Sequence, residues 1–193
     1  AFVPLYGNDG FKMLLSKGKV YENASYPFTP IDRASAIAAI ATGTTPYYNS
    51  IIGTRWLDKE TLRPVFCVDD SGYLTQDCSS PKNLNTSTIG DELKVSTNGV
   101  AIVYSVSPFR DASVLSAGHA ANGALWIDNE NGFWCSSNYY FKNNPSWIQA
   151  FNSLNSCDFE KREWTPANNL SGNFSYFMSG GTQKPFKHSL SGD

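Results

Sequence analysis

The chain has 193 residues, 41% of them hydrophobic and 14% aromatic, with a formal net charge of -2 at pH 7. That length suits one domain of ordinary size or a fragment of a larger one, and the apolar content excludes wholesale disorder. The near-neutral balance, with no basic stripe, argues against a nucleic-acid partner, and no apolar run approaches the roughly 18 residues that span a bilayer.

Ala1-Phe2-Val3-Pro4 carries neither an initiator Met nor a signal-peptide pattern and reads as a processed or trimmed start. Residues 9–17 read as a short helix ended by Gly18, and Lys19–Tyr26 as a strand. Asp32 is the expected N-cap of an Ala/Ile helix that stops at Gly43, with Ile37 and Ile40 on its buried face. Arg55–Leu57 and Pro64–Val68 are expected to form a hairpin over Lys59-Glu60-Thr61. Thr88–Val95 reads as a helix with Ile89 and Leu93 on one face, followed by Gly99.

Val100–Val106 is almost continuously apolar, the pattern of a strand buried on both faces of a parallel sheet. Asp111–Ser116 is a short helical candidate. Leu125–Ile127 and Phe133–Ser136 are expected to pair across Asp128-Asn129-Glu130-Asn131-Gly132. Asn144 and Pro145 open a further helix as cap and first residue. From Asp158 onward Asn, Ser, Gly and Pro dominate and periodicity fades. The chain therefore divides into a main unit, 1–157, and a tail, 158–193, that reads as a long loop or the start of an insertion. Strands alternating with helices indicate an α/β fold.

Cys67, Cys78, Cys135 and Cys157 match no zinc spacing and leave two readings, two disulfides of an exported protein or four buried thiols. Cys67 and Cys78 flank a turn at Asp70-Ser71-Gly72, and Asp69-Asp70 is a turn pair rather than a cation site. Sequons at Asn23, Asn85, Asn169 and Asn173 are compatible with export.

Several segments in order carry a resemblance: Gly10-Phe11-Lys12-Met13-Leu14-Leu15, Thr42-Gly43-Thr44-Thr45-Pro46, Ile51-Ile52-Gly53-Thr54-Arg55-Trp56 and Cys67-Val68-Asp69-Asp70. They are followed by Ser87–Lys94, Ser116-Ala117-Gly118-His119 and Trp134-Cys135-Ser136-Ser137. Together these resemble the N-terminal part of exported bacterial phosphatases of the alkaline phosphatase superfamily, in the branch of type I phosphodiesterases and nucleotide pyrophosphatases. The resemblance implies a parallel-sheet α/β sandwich, partial in this chain, with a small β-rich subdomain. It implies a phosphate-ester or other anionic small molecule as partner, a periplasmic or cell-surface location, and two zinc ions in intact active members.

Carried over residue by residue, the resemblance puts the family's Thr or Ser nucleophile on Arg33. Guanidinium has no nucleophilic oxygen and stays protonated. The Asn that touches the phosphoryl group falls on Thr54, and the phosphate-binding Lys and Arg fall on Phe109 and Asp111. Arg110 stands between these two as a possible substitute. Ser35, two residues further into the helix, is the weak alternative nucleophile. The family's metal carboxylate lies before the matched segments and its other ligands after them. Within the chain only His119 and His188 occur, too few for a two-metal centre of the usual His/Asp type, so no metal ligands are assigned. His119 reads as a structural histidine. Trp126, Phe133, Trp134, Tyr139 and Tyr140 read as packing residues, with a sugar-stacking surface as the alternative. Two functions follow from these residues: a phosphatase-like or phosphodiesterase-like scaffold without its chemistry, or a non-enzymatic exported protein that binds an anionic or glycan ligand.

Overall fold

The computed structural model describes residues 7–71 and 78–154, and the backbone of 162–164 and 188–190. Helix α1, Phe11–Lys17, stops where the Gly18 amide donates to the Leu14 carbonyl at 2.8 Å. Residues 19–26 do not form the expected strand. They are exposed, and among the described residues no strand pairs with them to form a ladder.

Helix α2, Arg33–Thr42, begins at a capping box. The Ser35 amide donates to Asp32 Oδ1 at 2.9 Å, and the Asp32 amide donates to Ser35 Oγ at 3.0 Å. It ends at Gly43 in the left-handed region, φ 68°. Its buried residues are Ala34, Ser35 and Ala38; of the expected pair Ile37 is half-buried against the core, whereas Ile40 is 72% exposed. α2 packs on α5, and small residues there let the two backbones approach. Short helix α3, Pro46–Asn49, is tied back by buried Asn49, whose side chain donates to the Thr44 carbonyl and accepts from the Ile51 amide.

The expected hairpin forms from β1, Arg55–Leu57, and β2, Pro64–Phe66, in antiparallel register with Arg55 opposite Phe66. Helix α4, Ile89–Ser96, is capped by Thr88 and Asp91. Its buried residues are Gly90 and Asp91, whereas Ile89 and Leu93 are exposed. Gly90 turns inward because Val103 packs there; a Cβ on Gly90 would lie 2.9 Å from Val103 Cγ1.

Strand β3, Tyr104–Val106, helix α5, Arg110–Ala117, and strand β4, Gly123–Ile127, form a β-α-β unit with β3 and β4 parallel. Strand β5, Trp134–Cys135, adds antiparallel to β4 across the expected turn. The fold is α/β, as expected, with a mixed sheet in place of a purely parallel one. The core joins Ala34 and Ala38 of α2, Val114, Leu115 and Ala117 of α5, Ala124 and Trp126 of β4, and Cys67 and Val68 after the hairpin.

The Val100–Val106 run is not buried on both faces. Only its last three residues are strand, and β3 pairs on one side only among the described residues. Helix α6, Ser146–Leu154, starts beside Pro145, whose carbonyl accepts from the Ile148 and Gln149 amides. In the tail, β6, Arg162–Trp164, pairs antiparallel with β7, His188–Leu190. Cys157 and the rest of the 158–193 expectation lie outside the described residues. No helix among the described residues is long and apolar enough to cross a membrane.

Candidate functional site

The N-termini of α2 and α5, the β1–β2 hairpin and the β4–β5 turn meet at one cleft of about 370 Å³. Asp32, the sequence neighbour of cleft-lining Arg33, organises the backbone beside it. Besides capping α2, its Oδ2 accepts from the Thr54 amide at 2.5 Å, which fixes the Gly53-Thr54 backbone against the helix start. The approach is close: a Cβ on Gly53 would sit 3.2 Å from that oxygen. Burial pushes the Asp32 pKa up, but the hydrogen bonds from Ser35 and Thr54 outweigh it, and the carboxyl sits below its ordinary value.

Arg33 occupies the first turn of α2. Its Nε donates to Asp111 Oδ2 at 2.9 Å and its Nη2 to Asp111 Oδ1 at 3.0 Å, a bidentate pair across 78 positions of sequence. The guanidinium also stacks on the Phe109 ring, 4.0 Å from its centroid. The hydrogen bonds to Asp111 are the main reason its pKa is raised still further. Asp111 is buried in the first turn of α5, while the Arg33 side chain is 41% exposed.

Arg33, Phe109 and Asp111, predicted from sequence as site positions, are thus in contact, and Thr54 is anchored beside them through Asp32. Arg33 is not a free cation, and Asp111 does not present an unpaired charge to the cleft; each neutralises the other.

Arg110 does not take over a role at this pair. It turns to Asp69 at 2.9 Å and lies over the Phe66 ring, 4.5 Å from the centroid. Asp69 is therefore an ion-pair partner. Asp70 is buried, accepts from Ser80 Oγ at 2.6 Å and faces Lys82. Ser35 is not placed as a nucleophile. It is fully buried, and its hydroxyl accepts from the Asp32 amide and donates to the Asp32 carbonyl.

The structural reading of His119 holds. Its amide donates to Asp91 Oδ1 at 2.9 Å, and its Nδ1 lies 3.4 Å from Asp91 Oδ2. His188 side-chain placement lies outside the described residues. Cys67 is a free, fully buried thiol, so the Cys67–Cys78 pairing is not made; burial, with Asp111 and Asp32 nearby, pushes its pKa up to about 12. Three of the aromatics are tied into the fold, while Phe133 is exposed. Trp126 is in the core, Tyr140 packs against it and donates to the Gly118 carbonyl at 2.9 Å, and Tyr139 donates to the His119 carbonyl. Among the described residues no group of three or more His, Cys, Asp or Glu side chains gathers to hold a metal ion.

Sequence reasoning missed Arg55, Phe66 and Glu130, which line the same cleft. Arg55 lies over Phe66 as well, 5.6 Å from its centroid. The one available signal was the hairpin itself: pairing β1 with β2 puts Arg55 opposite Phe66.

A family description, type I phosphodiesterase / nucleotide pyrophosphatase, matches residues 5–188. Alkaline phosphatase PhoV of Synechococcus elongatus is 38% identical over 99% of this chain and 36% of its own length. Alkaline phosphatase PafA of Elizabethkingia meningoseptica is 36% identical over 78% of this chain and 29% of its own. The crystal structure of wild-type PafA superposes with a TM-score of 0.75 at 35% identity, covering 80% of this chain and 31% of that one. The chain spans about a third of the length of these relatives.

Proposed function

We propose, because this chain belongs to the type I phosphodiesterase / nucleotide pyrophosphatase family of the alkaline phosphatase superfamily, that it is a phosphate-ester-hydrolase scaffold that does not turn over phosphate esters. The observation that carries this reading is the Arg33–Asp111 pair on Phe109. These three residues stand where the resemblance expects a nucleophile and two phosphate-binding cations. In their place is an internally neutralised cluster that offers no Ser or Thr hydroxyl, its one carboxylate being held by the guanidinium. Export to the periplasm or cell surface is part of the same reading and rests on the resemblance to exported phosphatases.

The test is turnover. The purified chain, given zinc and either p-nitrophenyl phosphate or bis-p-nitrophenyl phosphate, is expected to release no nitrophenol above the blank. Turnover that survives Arg33→Ala and is lost in Ser35→Ala overturns the reading.

A second reading, a binding protein for an anionic or glycan ligand, is favoured by one observation. Arg55 lines the cleft and makes no ion pair among the described residues, unlike Arg33 and Arg110. Calorimetric titration of the chain with phosphate, nucleotides and sugar phosphates tests it; absence of heat with all of them at millimolar ligand removes it.

A further inference from the structure

We propose that the cleft is an oxyanion site rebuilt one residue away from the lost one, with Arg55 and Arg110 as its cations, and that its ligand is a small anionic sugar. The inference rests on the binding reading given above and names its residues and ligand class.

The argument starts from the charges that line the cleft. Arg33 spends two donors on Asp111, so its fork is occupied. Arg110 gives one Nη2 contact to Asp69 and keeps its remaining N–H groups. Arg55 gives none to a carboxylate among the described residues. Both Arg55 and Arg110 lie over the ring of Phe66. A guanidinium set against a ring keeps its planar N–H edge available, and that edge matches the two oxygens of a phosphoryl or carboxylate group. Thr54 and Asp111, the positions that lost their phosphate-binding types, are the sequence neighbours of Arg55 and Arg110.

The opposite rim selects the rest of the ligand. The β4–β5 turn contributes Asp128, Asn129 and Glu130 to the same cleft. Asp128 Oδ1 is committed to the Glu130 amide at 2.9 Å. The carboxylate of Glu130 makes no hydrogen bond among the described residues. A bare phosphate would meet this acidic rim with no gain. A ligand whose anionic group sits on the arginines and whose hydroxyls donate to Glu130 and Asn129 fits both sides. Sugar phosphates and uronates share that chemistry.

The test titrates the purified chain by calorimetry with glucose 6-phosphate, glucuronate, glucose and inorganic phosphate. Expected are heats with the two anionic sugars, none with glucose, and binding of inorganic phosphate at least about fivefold weaker than of glucose 6-phosphate. Arg55→Ala is expected to weaken the anionic sugars by about tenfold or more, the loss of one charge-assisted contact. Arg63→Ala, a change outside the cleft, is expected to leave them within about twofold. Glu130→Gln is expected to weaken glucose 6-phosphate and leave inorganic phosphate unchanged or tighter. Arg55 and Glu130 are exposed, and circular dichroism of each variant confirms folding. Binding that is indifferent to Arg55→Ala overturns the site and leaves the binding reading standing. Silence from every ligand overturns both.

Discussion

Arg33 and Asp111 show how one residue's burial sets what its partner's loss costs. Asp111 is buried at the start of α5, with its side chain 2% exposed, while Arg33 is 41% exposed. Removing the arginine strands a buried carboxylate; removing the carboxylate frees an arginine that water can solvate. Arg33→Ala is therefore expected to destabilise by about 1–3 kcal/mol, and Asp111→Asn by less than about half of that, in urea denaturation. The double variant should lose less than the sum of the two. Equal single losses that add would mean that the pair is not coupled. Cys67 offers a second residue-scale test. Burial first, then Asp111 and Asp32, hold its thiol protonated up to about 12. Iodoacetamide at about pH 8 should label Cys67 about a hundredfold or more slower in the native chain than in urea, as read by peptide mass mapping. The buried thiol was one of the two readings the cysteines allowed, but the ion pair was not legible in the residues alone. A contact between positions 78 apart has no spacing signature, and only the family resemblance marked both residues for attention.

At the scale of elements, caps were more legible than faces. Asp32 and Gly43 announce helix ends by local chemistry and behave as expected, whereas Thr88, read as the first helical residue, is the N-cap. Ile37 packs against the core as expected, but Ile40, Ile89 and Leu93 are exposed because the buried faces are those where neighbours come closest, and Ala34, Ala38 and Gly90 fit there. The α4 cap carries more than the helix. Asp91 accepts from the Thr88 amide at 2.9 Å, and its Oδ1 accepts from His119 and Ala120 at 2.9 and 2.7 Å, so one carboxylate joins α4 to the turn before β4. Burial raises its pKa, yet these hydrogen bonds win and hold it below the ordinary 3.8. A depressed folded pKa means that the unfolded chain takes up the proton first. The contribution is complete above the ordinary value and is lost as pH falls through the folded one. The urea midpoint should therefore drop below about pH 4, and Asp91→Asn should flatten that drop while lowering stability at neutral pH. An unchanged acid slope in the variant would move the effect to other carboxyls. Gly118, which follows α5 at φ 72°, lies against the same cap; a Cβ there would lie 2.3 Å from Thr88 Oγ1 and 2.4 Å from Asp91 Oδ2. Gly118→Ala is expected to cost about 2 kcal/mol or more in thermal unfolding, from both strain and the collision with the cap.

Across the whole molecule, the Val100–Val106 run was read by composition as a doubly buried strand, and composition alone could not say which neighbours it would meet. β4 lies on one side of β3, and α5 packs against the unit they form. Alternate residues Val100, Ile102 and Val106 are left 81%, 76% and 61% exposed. Apolar side chains in a row beside a strand edge are the arrangement that native proteins usually cover or charge. This stripe, rather than the cleft, should govern the solution behaviour of the chain. The native protein is expected to bind a fluorescent hydrophobic probe and to scatter more light as its concentration rises. Ile102→Lys together with Val106→Lys should lower both signals severalfold. The lysines replace side chains that are already in water, so the melting temperature should stay within about 2 °C, the range of exposed substitutions. A large fall in melting temperature would show that these residues are packed in solution. Probe binding that survives both lysines would place the exposed apolar surface elsewhere, on α4 at Ile89 and Val95, which are 78% and 72% exposed.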